Sequence, residues 1–264
     1  MSATPRIDLR FEQRTGGSVA FVTIDNRAKL NTLGRVLMRE FIAAVDALAP
    51  REDLRALVLT GAGERAFIGG ADVAEMAALD RDSAKDFSAK DFITLVHNTC
   101  DCLRRLPVPV IARIDGYALG AGLEVAVSCD LRLASRRAQF GMPEVRVGLP
   151  SVVEAALIPR LIGLGRARRL LMLGETIDAQ TALDWGLVER VVEPDALDRE
   201  VEKILEALAA AGPQAVRLQK ALMRRWEELP LEASIAVGID AFVRAFETDE
   251  PKRMLADFVN RKRD

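Results

Sequence analysis

Strand-length apolar runs alternate with helix-period stretches through the first two thirds of this chain, and glycine or proline turns separate them. Val19–Ile24 reads as a strand ended by Asp25-Asn26, and Leu33–Leu48 then carries apolar residues at helical spacing: Leu33, Val36, Leu37, Phe41, Val45 and Leu48. Leu54–Thr60 is a second strand, cut by Gly61-Ala62-Gly63, and a helix is expected over Lys85–Leu106. Pro107 and Pro109 lead into a strand at Val110–Ile114, Leu123–Cys129 resumes as helix, and Asp130–Ala134 returns as strand. Such alternation predicts an α/β core, because each helix must bury its apolar stripe against a sheet. From about Asp195 only helical patterns follow: Leu197–Ala211, Gln214–Leu229 and Leu231–Thr248, punctuated by Gly212-Pro213 and Pro230. The expected division is a core domain at 1–195 and a helical region at 196–264. The stripe Ile235, Ile239, Phe242, Val243 and Phe246 could pack on the chain's own body or on a neighbouring subunit.

Composition narrows the function classes. Half of the 264 residues are hydrophobic, and 37 Lys+Arg nearly balance 39 Asp+Glu for a net charge of -2, so neither nucleic acid nor a membrane surface is expected as a partner. No apolar run follows a basic start, and the longest apolar stretch, Tyr117–Cys129, is too short to span a bilayer. A cytoplasmic location is the expectation. The three cysteines, Cys100, Cys102 and Cys129, suit buried thiols better than a disulfide framework or a zinc site. A single histidine, His97, sits in an amphipathic helical pattern and is expected to be structural, which disfavours Ser-His-Asp and Cys-His mechanisms.

Two acids stand out. Glu124 follows Gly120-Ala121-Gly122 inside an apolar run, where a buried carboxylate needs a partner or a raised pKa. Glu144 closes Phe140-Gly141-Met142-Pro143, a loop fixed by Gly and Pro. Their alternatives are a helix-face salt bridge and a surface loop acid. Gly69-Gly70 and Gly120-Ala121-Gly122 read as turns when taken singly. Together they can bring backbone N–H groups close to one substrate oxygen, as an oxyanion hole requires. Gly61–Ala66 follows a strand and loosely matches a dinucleotide fingerprint, but Gly69-Gly70 would interrupt the long helix that fingerprint needs, so a plain loop is favoured.

These segments resemble the crotonase (enoyl-CoA hydratase/isomerase) superfamily from about Val19 to the C-terminus. Asn26–Leu33 is similar to its coenzyme A-lining segment, Leu57–Val73 to its first oxyanion loop, Pro109–Leu133 to its second loop, helix and strand, and Phe140–Pro150 to its second acid loop. Thr181–Val188 and Lys220–Leu222 match later landmarks. The resemblance implies a spiral of β-β-α repeats with C-terminal helices that build a homotrimer or a dimer of trimers. It implies oxyanion donors at the N–H groups of Ala71 and Ala121, and an acid/base pair at Glu124 and Glu144, with Glu144 the principal proton-transfer acid and Glu124 positioning and helping to deprotonate water. Substrate contacts are implied at Arg27, Lys29, Leu30, Gly70, Asp72 and Val73, with Phe258 and Arg261 closing the adenine end from a neighbouring subunit.

The implied activity is a lyase of fatty acid metabolism: syn hydration of a 2-enoyl-CoA to a 3-hydroxyacyl-CoA, with no metal or other cofactor because coenzyme A belongs to the substrate. An isomerase or another thioester enzyme of the same fold, and a non-catalytic acyl-CoA-binding protein, are the alternatives; a dinucleotide-dependent oxidoreductase would rest on Gly61–Ala66 alone. Three departures mark this chain: Ala28 replaces a common proline, Ala121 stands at a usual glycine, and Leu149–Glu154 lacks a glycine-rich continuation. Glu154 is expected as a solvated helix-start carboxylate, or else as a third acid at the pocket.

Overall fold

A computed structural model describes residues 4–79 and 87–261. Its strands, in chain order, are β1 (Arg6–Arg14), β2 (Gly17–Asp25), β3 (Leu54–Gly61), β4 (Ala66–Ile68), β5 (Val110–Ile114), β6 (Tyr117–Leu119), β7 (Leu131–Ser135), β8 (Gln139–Gly141), β9 (Thr176–Asp178) and β10 (Arg190–Val192). The helices are α1 (Arg35–Asp46), α2 (Val73–Ala77), α3 (Ala89–Arg105), α4 (Ala121–Ser128), α5 (Ile158–Ile162), α6 (Leu164–Leu173), α7 (Ala179–Trp185), α8 (Leu197–Ala210), α9 (Pro213–Trp226), α10 (Leu231–Ala245) and α11 (Glu250–Arg261).

Among the described residues the strands form two sheets, ordered β1-β2-β3-β5-β7-β10 and β4-β6-β8-β9. Pairing is parallel throughout except for β1–β2 and β8–β9. The chain therefore climbs as a spiral. β3, β5 and β7 each enter the large sheet, and each is followed at once by a short strand of the small sheet, β4, β6 or β8. A helix then closes the turns that begin with β3 and β5. This is the β-β-α repeat the sequence implied. The central strands of the large sheet are covered on both faces, which is why Ala56–Leu59 and Val110–Ala112 read as continuous apolar runs rather than alternating ones.

Two cores result. The larger lies between the sheets and helices α1, α3 and α4, and includes Ile24, Phe41, Leu57, Leu59, Phe67, Leu103 and Phe140, each buried. The smaller sits on the outer face of the large sheet, where Leu197, Val201 and Leu205 of α8 cover Val19, Ala56, Val58, Ile111 and Leu133. α8 thus belongs to the packing of the body, although it lies beyond residue 195.

The expected helix over Lys85–Leu106 is α3; its expected start at Lys85 falls outside the described residues. Ser88 opens α3 with a capping box: its Oγ accepts from the Asp91 N–H at 3.1 Å, and Asp91 Oδ2 accepts from the Ser88 N–H at 2.9 Å. Lys220, at one of the late landmarks, is buried and donates to the carbonyls of Leu103 and Val108 and to Asp130 Oδ2 at 3.0, 2.9 and 2.7 Å. It fastens α9 to the end of α3. The three cysteines are buried free thiols. The apolar stripe of α10 is exposed on this chain, at 63% for Ile239 and 70% for Phe242. Among the described residues no helix is long and apolar enough to cross a membrane.

Candidate active site

Successive turns of the spiral deliver their loops to one cavity of about 230 Å³, lined among others by Gly70, Ala71, Leu119, Ala121, Glu124 and Glu144. The first loop follows β4. It is braced from behind by the segment after β2, where Leu30 and Asn31 adopt left-handed backbone at φ 56° and 57°. Asn31 makes that turn rigid: its Oδ1 accepts from the Asn26 N–H at 2.9 Å, and its Nδ2 donates to the carbonyls of Ala62 and Ala66 at 3.0 and 2.7 Å. The braced segment then holds the loop in register, with the Gly69 N–H on the Leu30 carbonyl (2.8 Å), the Leu33 N–H on the Gly70 carbonyl (2.9 Å) and the Asp72 N–H on the Leu33 carbonyl (2.9 Å). Ala71 lies between bonded neighbours, and among the described residues its own N–H meets no backbone acceptor.

The second loop joins β6 to α4. Gly120 takes φ 52° and ψ −124°, a conformation that strongly favours glycine, and its N–H binds the Gly141 carbonyl at 2.9 Å. α4 starts immediately, so the Ala121 N–H is one of the unsatisfied donors of a helix N-terminus. Gly122 lets α4 lie directly on β4; a Cβ there would stand 2.0 Å from the Ile68 carbonyl oxygen. The loops carrying Ala71 and Ala121 are held together by this contact. Two free N–H groups at one cavity wall can stabilise a developing oxyanion.

Glu124 occupies the first turn of α4, whose residues are all buried. Its Oε1 accepts from the Ala155 N–H at 3.3 Å. Burial, then the nearby charge of Glu144, pushes its pKa up to about 8, so it holds a proton at neutral pH. Glu144 stands on the 3-10 turn Pro143–Val147 after β8, is half-buried, and accepts from Ser151 Oγ at 2.8 Å through Oε2. A protonated carboxyl can hold a water by hydrogen bonding.

The other anticipated contacts separate. Gly70 and Val73 line the same cavity. Lys29 and Asp72 line an adjoining cleft and pair with each other at 2.8 Å. Arg27 forks onto Asp25 at 2.8 and 2.7 Å, and Leu30 supports the first loop through its carbonyl. Phe258 lies exposed on α11, and Arg261 is that helix's last residue. The dinucleotide-like Gly61–Ala66 is a turn between β3 and β4 with no long helix after it.

The structure changes the reading of Glu154 and adds Ser151. Glu154 is buried, not solvated, and its Oε1 lies 2.8 Å from Nδ1 of His97 on α3. Burial raises its pKa above the usual carboxylate range, against the lowering influence of His97. Ser151, in contact with Glu144, carried no signal of its own. For Glu154 the signal was available, since Val152, Val153, Ala155 and Ala156 surround it with the kind of apolar run that marked Glu124.

Paired carboxylates facing two glycine-built N–H donors define a class of site suited to a polarised carbonyl and a water. Comparison with known proteins gives the family. The enoyl-CoA hydratase/isomerase signature matches residues 14–264, and the chain belongs to that family. It is 34% identical to a short-chain-enoyl-CoA hydratase of Clostridium acetobutylicum, over 94% of this chain and 93% of that one. It is 33% identical to a crotonyl-CoA hydratase of Syntrophomonas wolfei, over 93% of each. Among solved structures, an enoyl-CoA hydratase from Bacillus anthracis is similar at a TM-score of 0.89 and 30% identity, covering 97% of this chain and 96% of that one.

Proposed function

We propose that this chain is an enoyl-CoA hydratase, adding water syn across the double bond of a 2-enoyl-CoA to give a 3-hydroxyacyl-CoA. The observation that carries the reading is the convergence of Glu124 and Glu144 on the cavity walled by Ala71 and Ala121. The named activities of the Clostridium and Syntrophomonas relatives support it.

In this reading the thioester oxygen accepts hydrogen bonds from the N–H groups of Ala71 and Ala121. Electron density moves from the double bond toward that oxygen, C3 becomes electrophilic, and the enolate is stabilised as it forms. A water held between the glutamates attacks C3. As the water oxygen bonds to C3, Glu144 takes a proton from the water and delivers it to C2 on the same face, so one water is consumed and the enzyme ends as it began. Glu124 keeps its proton and positions the water. The apolar cavity wall, including Phe92, Val96 and Val152, suits an uncharged acyl group.

The coenzyme A portion would run over Lys29, Leu30 and Asp72, with Arg27 and Val73 beside it. It would need no further cofactor. Phe258 and Arg261 would close its adenine end across a subunit boundary. The exposed stripe on α10 supports assembly into a homotrimer or a dimer of trimers, with 196–264 as the assembling region and α8 its link to the body.

Following the loss of enoyl-thioester absorbance with crotonyl-CoA in ¹⁸O-labelled water tests the function. Label appearing in the C3 hydroxyl is expected. Hydrogen exchange at C2 and C4 without oxygen incorporation would instead make the chain an isomerase, and coenzyme A binding without turnover would make it a binding protein.

A further inference from the structure

The five residues Ser151–Ala155 touch both glutamates from behind. At one end Ser151 Oγ donates to Glu144 Oε2 at 2.8 Å, and at the other the Ala155 N–H donates to Glu124 Oε1 at 3.3 Å. Each acid thereby has one oxygen tied down. Glu144 Oε1 is confined further, because it lies against the Cα of Gly120.

The backbone between these contacts is not relaxed. Val153 has φ 42°, a left-handed conformation that a branched side chain rarely adopts. Something must hold it there, and the next residue supplies the means. The Glu154 side chain is 8% exposed, its Oε1 is 2.8 Å from His97 Nδ1, and its Oε2 is buried with no hydrogen-bond partner among the described residues. One hydrogen is shared along that contact, and whichever partner carries it, the bond joins Glu154 to His97. A buried carboxylate without this contact would be strongly disfavoured, so the pair fixes the segment to α3.

We propose that Ser151–Ala155 is the positioning element for the acid pair, pinned to α3 by Glu154 and His97, with Ser151 setting the orientation of Glu144. It rests on the reading of Glu124 and Glu144 as the water-handling acids. Ser151, Glu154 and His97 are positioning residues, since they act through the glutamates. The unusual wall of this chain thus aligns the acids as well as bounding the acyl group.

Steady-state hydration of crotonyl-CoA, together with thermal melting, tests the assignment. Ser151→Ala is expected to lower kcat roughly 10-fold to 100-fold, the scale of loss for small misplacements of reacting groups. KM should hold within about threefold, because ground-state binding is untouched. Ser151→Thr keeps the hydroxyl and should restore most of the rate. His97→Ala and Glu154→Ala should each lower kcat, and the double variant should lose little more than either alone. If Glu154→Ala fails to fold, His97→Ala carries the test, because that side chain is 47% exposed. The proposal falls if Ser151→Ala and His97→Ala both keep the parent kcat while Glu124→Gln and Glu144→Gln abolish turnover; the hydratase reading then stands. Unchanged rates in the two glutamine variants would remove the hydratase reading itself, and the positioning role with it.

Discussion

Glu144 Oε1 lies where Gly120 has no side chain: a Cβ built on that glycine would stand 2.5 Å from the carboxylate oxygen. The acid and the turn that opens α4 are therefore a fitted pair, although 24 residues separate them in sequence. The fit gives the mechanism a steric check that does not depend on charge.

Gly120→Ala should displace Glu144 and strain a backbone at φ 52° at once. A fall in kcat of at least about 10²-fold is expected from the misplaced acid. A stability loss of roughly 1–3 kcal/mol should accompany it in urea titration. A variant with normal kinetics would show that the Glu144 orientation seen here is not the working one.

Replacing either glutamate separates chemistry from binding. Glu144→Gln should lower kcat by about 10²–10⁴-fold, the usual contribution of a positioned proton-transfer group. Affinity for the coenzyme A product, measured by calorimetry, should change little, because the cleft of Lys29 and Asp72 is left intact.

The buried carboxyl of Glu124 makes stability depend on pH in a defined direction. Its pKa is about 8 in the folded chain against 4.5 for an ordinary glutamate, so between these values the folded state binds more proton than the unfolded state. That contribution is fully present below 4.5 and is lost as pH rises through about 8. Urea unfolding across this range should show stability falling as pH rises, on the order of a few kcal/mol in total. In Glu124→Gln the slope should flatten. A slope unchanged by that substitution would assign the titration to another group.

Lys220 offers a structural control remote from the cavity. Truncation to Ala leaves Asp130 and the carbonyls of Leu103 and Val108 without their shared donor. A loss of roughly 1–3 kcal/mol is expected from the two carbonyls that lose their donor, since Asp130 is exposed and keeps the Val110 N–H, with kcat unchanged below the melting transition.

The stripe on α10 predicts self-association. Light scattering should give the parent a mass several times the 28.9 kDa of one chain. Phe242→Glu, which places a charge at a 70% exposed apolar position, should shift it toward the single chain. A parent that is already monomeric would overturn the assembly.

Periodicity exposed the long elements, because Leu54–Thr60 and Leu33–Leu48 are deep enough in the core to carry an unbroken apolar pattern. It missed β1, whose Ile7, Leu9 and Phe11 do alternate, but on an edge strand with mostly exposed residues and with Asp8 and Arg10 between them. It missed β4, β6 and β8 for a different reason: three-residue strands are shorter than any period. The glycines announced the loops, and the resemblance placed Ala71 and Ala121 on them. Contacts such as Ser151 with Glu144, or His97 with Glu154 across 57 residues, depend on tertiary approach and leave no local trace.

The spiral separates what must persist from what can vary. The central strands of the large sheet lie within the buried framework, whereas the glycine turns and Glu144 follow the short strands at the end of each turn. A side-chain change such as Glu144→Gln, on the turn after β8, alters the cavity wall and leaves the strands of the large sheet untouched. Such an architecture can acquire a new reaction one loop at a time and remain the same fold throughout.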